Sequence, residues 1–213
     1  MINLIATSPK TAIEKIGVED YRVYCGLLTS PKNGNLPIRA IENGAMWAMD
    51  NDAFTGFHSK RFLSKLNRLK GSPHCLFVVS PDCVGNAALT LDYFWYWQPI
   101  IHAMGYPVAL ALQNGMEGYA MPWGYISAVF IGGDTLFKYT PYVASIAKEA
   151  KQRGVWIHMG RVNSHQRIRH AFAIGCDSFD GTGYAIEPER IRKELYWWKT
   201  PIQTPIQYTL LEA

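Results

Sequence analysis

The chain is short of cysteine pairs, of charge and of long apolar runs, and each shortage removes a class of protein. Its four cysteines, Cys25, Cys75, Cys83 and Cys176, are scattered over 213 residues with no C-x-x-C pair. A tetrahedral structural zinc draws on closely spaced ligands, so no zinc-binding subdomain, metal or cofactor is expected. No apolar stretch reaches the length that spans a bilayer, which removes a membrane partner. The opening "MINLIATSPK" has no charged region ahead of its short apolar start, so a signal peptide is not expected. A cytoplasmic location with reduced thiols is the expectation that follows. Charged residues make up 18% of the chain against 48% apolar, a balance that supports a sizeable core and argues against disorder. Repeats, linkers and low-complexity segments are absent, and only the stretch from Thr200 looks irregular, so residues 1–213 read as one domain. The formal charge of +4 and a pI near 8.8 are mildly basic, compatible with a polyanion without demanding one.

What is abundant is a regular alternation of element signals, along with a heavy aromatic load of seven Trp and twelve Tyr. Short apolar runs rich in strand formers recur: "YRVYCGLL", "AMWAMD", "CLFVVS", "PVALALQ", "AVFIGG", "VWIHMG" and "CDSFD". Between most of them the spacing turns helical. Over Ser59 to Leu69, Phe62, Leu63, Leu66 and Leu69 share one side while Lys60, Arg61, Lys65 and Arg68 face outward. Asn86 to Met104, Pro141 to Arg153, Ser164 to Ile174 and Pro188 to Trp198 read alike, with Asn86, Thr140, Asn163 or Ser164, and Glu187 as starting residues. Strands that are continuously apolar and each followed by a helix belong to a parallel sheet covered on both faces. Seven such runs, with an eighth at Ile2 to Ala6, favour a compact α/β fold, a (β/α)8 TIM-type barrel, over an open doubly wound sheet.

In such a barrel the strand C-termini converge on one face, where the chemistry is carried. The polar residues of this chain fall there in order. Asp50-Asn51 follow the second run, Ser80-Pro81-Asp82 the third and Gln113-Asn114-Gly115 the fourth. Gly132-Gly133 follow the fifth, Gly160-Arg161 the sixth and Asp180-Gly181 the seventh. Each also has a structural reading: Asp50 and Asp82 as caps or turn formers, Gln113 as a satisfied polar group, Gly132-Gly133 as a tight turn. His158 reads equally as a hydrogen-bonded core histidine, Arg161, Arg167 and Arg169 as a solvated face, and Asp177 as a structural acid with a basic neighbour.

The ordered series "MDNDAF", "SPDCVGN", "ALALQNG", "FIGG", "HMGRVNS" and "GCDSFDGTGY" resembles the tRNA-guanine transglycosylase superfamily. It is most similar to the DpdA-like branch of bacteria and phages, which places 7-deazaguanine bases in DNA. The likeness runs from Ala45 to Tyr184, with "GRVNS" and "GCDSFDGTG" its most specific parts. It implies Asp180 as nucleophile, Asp50 as general acid/base with Asn51 beside it, and Asp82 as the acid that reads a guanine-like base. It further implies base contacts from Gln113, Gly132 and Gly133, and a supporting acid at Asp177. His158 is carried as a supporting residue. Asp52 stands where a glycine is commoner and is the alternative acid/base. The zinc motif and the extension of the tRNA enzymes have no counterpart here, which fits the DNA-directed branch.

The resemblance thus implies guanine exchange in DNA for a preQ0-like base through a covalent aspartyl-sugar intermediate. The alternatives are a tRNA-guanine transglycosylase, a hydrolytic glycosylase and an inactive nucleic-acid-binding relative. Breaking the C1′–N9 bond builds positive charge on the sugar, which a carboxylate stabilises and then captures as an ester. A second carboxyl can protonate the leaving base and deprotonate the incoming one. A third can accept from N1–H and the 2-amino group. The target nucleotide must be flipped out or single-stranded. Lys138 and Arg161 are the candidate phosphate contacts. The implied partners are DNA, the 7-deazaguanine base and accessory DNA-modification proteins.

Overall fold

The structure is a computed structural model and describes residues 1–6, 25–32 and 36–181. The expected helix over Pro188 to Trp198 and the irregular stretch from Thr200 lie outside the described residues. Strand β1 (Ile2–Ala6) is followed by β2 (Cys25–Thr29), the short helix α1 (Ile38–Glu42) and β3 (Trp47–Met49). Then come α2 (Ser59–Leu69), β4 (Cys75–Val79), α3 (Ala87–Ala103), β5 (Val108–Leu112) and β6 (Ala128–Ile131). Helices α4 (Thr135–Lys138) and α5 (Pro141–Gln152), strand β7 (Trp156–Met159), α6 (His165–Ala173) and β8 (Ser178–Asp180) complete the order.

All eight strands pair in parallel in sequence order, and β8 pairs back onto β1 to close the barrel. The closing register is Ile2 with Ser178, Asn3 with Phe179 and Leu4 with Asp180. Closure through Ile2–Ala6, the least certain of the eight runs by sequence, rules out the open doubly wound sheet. The helix starts are set by the residues that sequence singled out. Asn86, Thr140 and Ser164 each accept a hydrogen bond from the backbone N–H three residues on, satisfying a donor the helix itself cannot. Helix α4 was not anticipated; Asp134 caps it by accepting from the Phe137 N–H.

Side chains alternate across each strand, so the apolar runs divide into two cores. Leu4, Leu28, Ala48, Phe77, Val79, Ala109, Ala111 and Ala128 pack together inside the barrel, with Phe130 and Trp156 against them. The alanines of β5 and β6 leave room for these large rings. Trp47, Met49, Val78, Leu110, Leu112, Ile157 and Phe179 point outward and bury the apolar stripes of the helices, including Phe62, Leu66 and Leu69 of α2.

Candidate active site

The same alternation decides what stands at the barrel mouth. Continuing each inward row by one step beyond the packed core leads from Ala48 to Asp50, from Ala111 to Gln113 and from Phe130 to Gly132. It leads likewise from His158 to Gly160 and from Ser178 to Asp180. Three polar side chains and two glycines therefore ring the axis on the C-terminal face. The glycines are required by space. A Cβ on Gly132 would lie 2.8 Å from both Gln113 Nε2 and the Leu112 carbonyl, and one on Gly160 would lie 2.8 Å from the Phe130 ring.

Asp82 reaches the mouth from the loop after β4 and is gripped by two carboxamides. Asn51 Nδ2 donates to its Oδ1 at 2.7 Å and Gln113 Nε2 to its Oδ2 at 2.6 Å. Both amides are oriented from behind: Asn51 Nδ2 also donates to the Ser80 carbonyl, and Asn51 Oδ1 accepts from the Ala53 N–H. Gln113 Oε1 accepts from the Gly85 and Gly133 N–H groups at 3.0 and 3.1 Å. Burial pushes the Asp82 pKa up, opposed by the two amide hydrogen bonds and by the Arg161 charge. The Gly132 N–H is committed to the Leu112 carbonyl. Both glycine N–H groups are therefore engaged within the protein, Gly133 through Gln113 in support of the Asp82 carboxylate and Gly132 with the Leu112 carbonyl.

Asp180 ends β8, and both its oxygens receive hydrogen bonds. The Arg161 backbone N–H donates to Oδ1 at 3.1 Å, and His158 Nε2 lies 3.0 Å from Oδ2. His158 is fully buried, stacked on Phe130 at 4.8 Å, with Nδ1 2.8 Å from Ser178 Oγ. Trp156 Nε1, which can only donate, bonds that same oxygen at 2.8 Å. The hydroxyl proton of Ser178 is then free to point at His158 Nδ1, an arrangement that goes with a ring proton on Nε2 aimed at Asp180.

Asp50 is half-buried, with its Oδ1 accepting from the Asn51 N–H at 2.8 Å. Its pKa is raised to about 7, first by desolvation and next by the charge of Asp180, with Asp52 and Asp82 adding smaller repulsions. Such a carboxyl is available as acid and base near neutrality.

Three expectations need correction. Asp177 precedes β8, at the barrel end opposite the mouth, where it accepts from Lys151 Nζ at 2.7 Å and from the Ile157 N–H at 2.9 Å. It is a structural acid, because three residues of strand carry it away from Asp180. Lys138 is not a surface cation: it is 5% exposed and its ammonium donates to the Gly160 carbonyl, beyond the reach of a phosphate. Asp52 does not take the acid/base place. It adopts the left-handed conformation usual for glycine, φ 61°, and turns outward to accept from the Lys32 N–H at 2.7 Å. Arg161 is exposed; its Nη2 donates to the Gly133 carbonyl and its guanidinium lies 4.7 Å from the ring centre of the exposed Phe54. Trp156 and Ser178 were missed by sequence reasoning. Stepping back by two residues from His158 and Asp180 would have found both.

No group of three or more His, Cys, Asp or Glu side chains among the described residues is placed to hold a metal ion. No helix among them is long and apolar enough to cross a membrane.

The fold and the acid cluster define a parallel (β/α)8 barrel of the TIM type with its polar residues at the C-terminal mouth. No family model and no curated protein matches the chain. Among solved structures it is similar to the N-acetylneuraminate lyase of Proteus mirabilis, with a TM-score of 0.51 at 11% identity over 93% of this chain and 76% of that one. A likeness of this kind is one of fold. Two cyclic-nucleotide proteins are more distant in shape. The PaMucR phosphodiesterase in complex with c-di-GMP has a TM-score of 0.44 at 16% identity, over 68% of this chain and 64% of that one. An EAL enzyme bound to cAMP and cyclic-di-GMP has a TM-score of 0.43 at 15% identity, over 74% of this chain and 48% of that one. The chain thus spans less than two thirds of the length of either.

Proposed function

We propose that this chain is a DNA-guanine transglycosylase that exchanges guanine for a preQ0-like 7-deazaguanine. The observation that carries the reading is the difference in environment among three acids at one barrel mouth. Asp50 is held near neutral pKa beside Asp180, whose oxygens both receive hydrogen bonds, while Asp82 is gripped by two amides. Two carboxyl groups kept in different environments are what an acid/base and a nucleophile require.

In the first half-reaction an Asp180 oxygen attacks C1′ as the C1′–N9 bond breaks, and the electron pair leaves with guanine. Asp50 gives its proton to the departing base, and an aspartyl-sugar ester remains. In the second, the incoming base loses its N9 proton to Asp50, N9 attacks C1′, and the ester bond returns its electrons to Asp180. Two inversions retain the β configuration. Asp82 accepts from N1–H and the 2-amino group of either base. Adenine lacks that pair of donors and would leave the carboxylate unmatched, a basis for selection. DNA is preferred over tRNA on the resemblance.

Guanine exchange tests the reading. Purified protein is incubated with duplex and single-stranded DNA carrying radiolabelled guanine, with and without preQ0, beside Asp180→Ala and beside labelled tRNA. Release from DNA only with preQ0 and only by the intact chain is the expected result. Release without preQ0 points to a hydrolytic glycosylase, release from tRNA alone to a tRNA enzyme, and no release to a binding relative.

A further inference from the structure

We propose that Lys138 is a positioning residue for Asp180, acting through the single peptide unit that joins Gly160 to Arg161. The inference rests on the reading of Asp180 as nucleophile. One end of that peptide, the Gly160 carbonyl, accepts from Lys138 Nζ; the other end, the Arg161 N–H, donates to Asp180 Oδ1 at 3.1 Å. The described residues contain no cis peptide bond, so the two groups of the unit point in opposite directions and can be held from both sides at once. A cation on the carbonyl oxygen draws charge along the amide and strengthens the N–H as a donor, as in any hydrogen-bonded chain.

The peptide is held against its own preference. Arg161 sits at φ 57°, in the left-handed region that costs a residue with a Cβ about 1–2 kcal/mol. Gly160 has no room for a Cβ beside Phe130, so the chain passes this point only as glycine. Lys138 is itself locked. Its carbonyl meets His170 Nε2 at 2.8 Å, and that ring stacks on Tyr139 at 4.2 Å. Arg167 ties the other flank by donating to the Arg161 carbonyl at 3.1 Å and to Thr135 Oγ1 at 2.9 Å.

The charges around the ammonium are Arg161 and Arg167, which disfavour its proton, and Asp180 and Asp134, which favour it; the His170 ring packs against the same segment. Burial is the largest influence, and the pKa is lowered to about 8. The bracing cation is thus lost within an accessible alkaline range, while a neutral amine can still donate one hydrogen.

The test has one readout that needs no turnover. In ¹H–¹⁵N spectra of the whole chain the Arg161 amide is expected far downfield and should move upfield as pH rises through about 8, following Lys138. Lys138→Gln, which keeps a donor and removes the charge, should abolish that step, as should Lys138→Met. An Arg161 amide that does not respond to pH in the parent chain overturns the proposal, whether or not the variants fold. In the exchange assay, both variants should lower kcat about 10- to 100-fold with KM for DNA and the salt dependence of binding unchanged. A raised KM with a shallower salt slope would overturn it in favour of a phosphate contact. A responsive amide in a parent chain that exchanges no base would leave the linkage to Asp180 standing and sink the transglycosylase reading instead.

Discussion

Asp50→Asn is the substitution that weighs the acid/base assignment against the fold. In an unfolded chain this carboxyl ionises near 3.8, and in the fold at about 7. Each pH unit between those values is worth about 1.4 kcal/mol, so ionising Asp50 inside the barrel costs about 4 kcal/mol more than ionising it in the unfolded chain. The sign follows from who holds the proton. Below the lower value both states keep it, and its contribution to stability is complete. Between 3.8 and about 7 only the folded chain keeps it, so stability falls as pH rises. Above about 7 the contribution is gone.

Asparagine has no proton to lose, and its amide oxygen can still accept from the Asn51 N–H. Variant and parent should therefore melt alike near pH 4, and the variant should melt higher at pH 8. At about 2–4 °C per kcal/mol for a chain of this size, the full gap is about 8–16 °C. Thermal unfolding followed by circular dichroism at pH 4, 6 and 8 measures it, with exchange activity on the same samples. Activity should vanish where stability rises, which marks strain kept for function. A gap that does not widen between pH 4 and pH 8 would refute the reasoning.

Gly132→Ala places a methyl 2.8 Å from both a fixed carbonyl and the amide that grips Asp82. It should cost about 1–3 kcal/mol by denaturant titration and weaken binding of a 7-deazaguanine base by calorimetry. His158→Ala should slow formation of the trapped aspartyl-sugar adduct about 10- to 100-fold, and His158→Gln, which keeps a donor facing Asp180, should recover part of it. Asp177→Ala leaves the Ile157 N–H without its acceptor. It should lower stability by about 1–3 kcal/mol while exchange measured well below the melting temperature is unchanged, since the residue lies at the far end of the barrel.

The barrel was legible because its information is periodic. Apolar runs such as "ALAL" and "VFI" and the helical stripe of Phe62, Leu66 and Leu69 repeat at the strand and helix periods, and burial on both faces of a strand leaves no ambiguity about crossovers. The polar residues at strand ends were legible for the same reason: Asp50, Gln113 and Asp180 continue inward rows. What sequence could not resolve is direction within a loop and depth behind it. Asp50 and Asp52 are two residues apart, and only the left-handed turn at Asp52 sends that side chain outward. Asp177 and Asp180 are three apart, and a strand converts that spacing into opposite ends of a barrel. Lys138 looked like a surface cation because charge alone says nothing about the carbonyl waiting behind it.

The closure of β8 onto β1 has a bearing on the proposed activity. Asp180 is registered against Leu4 across the β8–β1 seam, and its N–H donor Arg161 lies just beyond the end of β7. The hydrogen-bonded group of Asn51, Asp82 and Gln113 stands instead beyond the ends of β3, β4 and β5, away from that seam. On the proposed reading, the nucleophile takes its place only when β8 docks on β1. A barrel opened at the β8–β1 seam would, on that same reading, keep the group that recognises a base and lose the carboxylate that attacks its sugar.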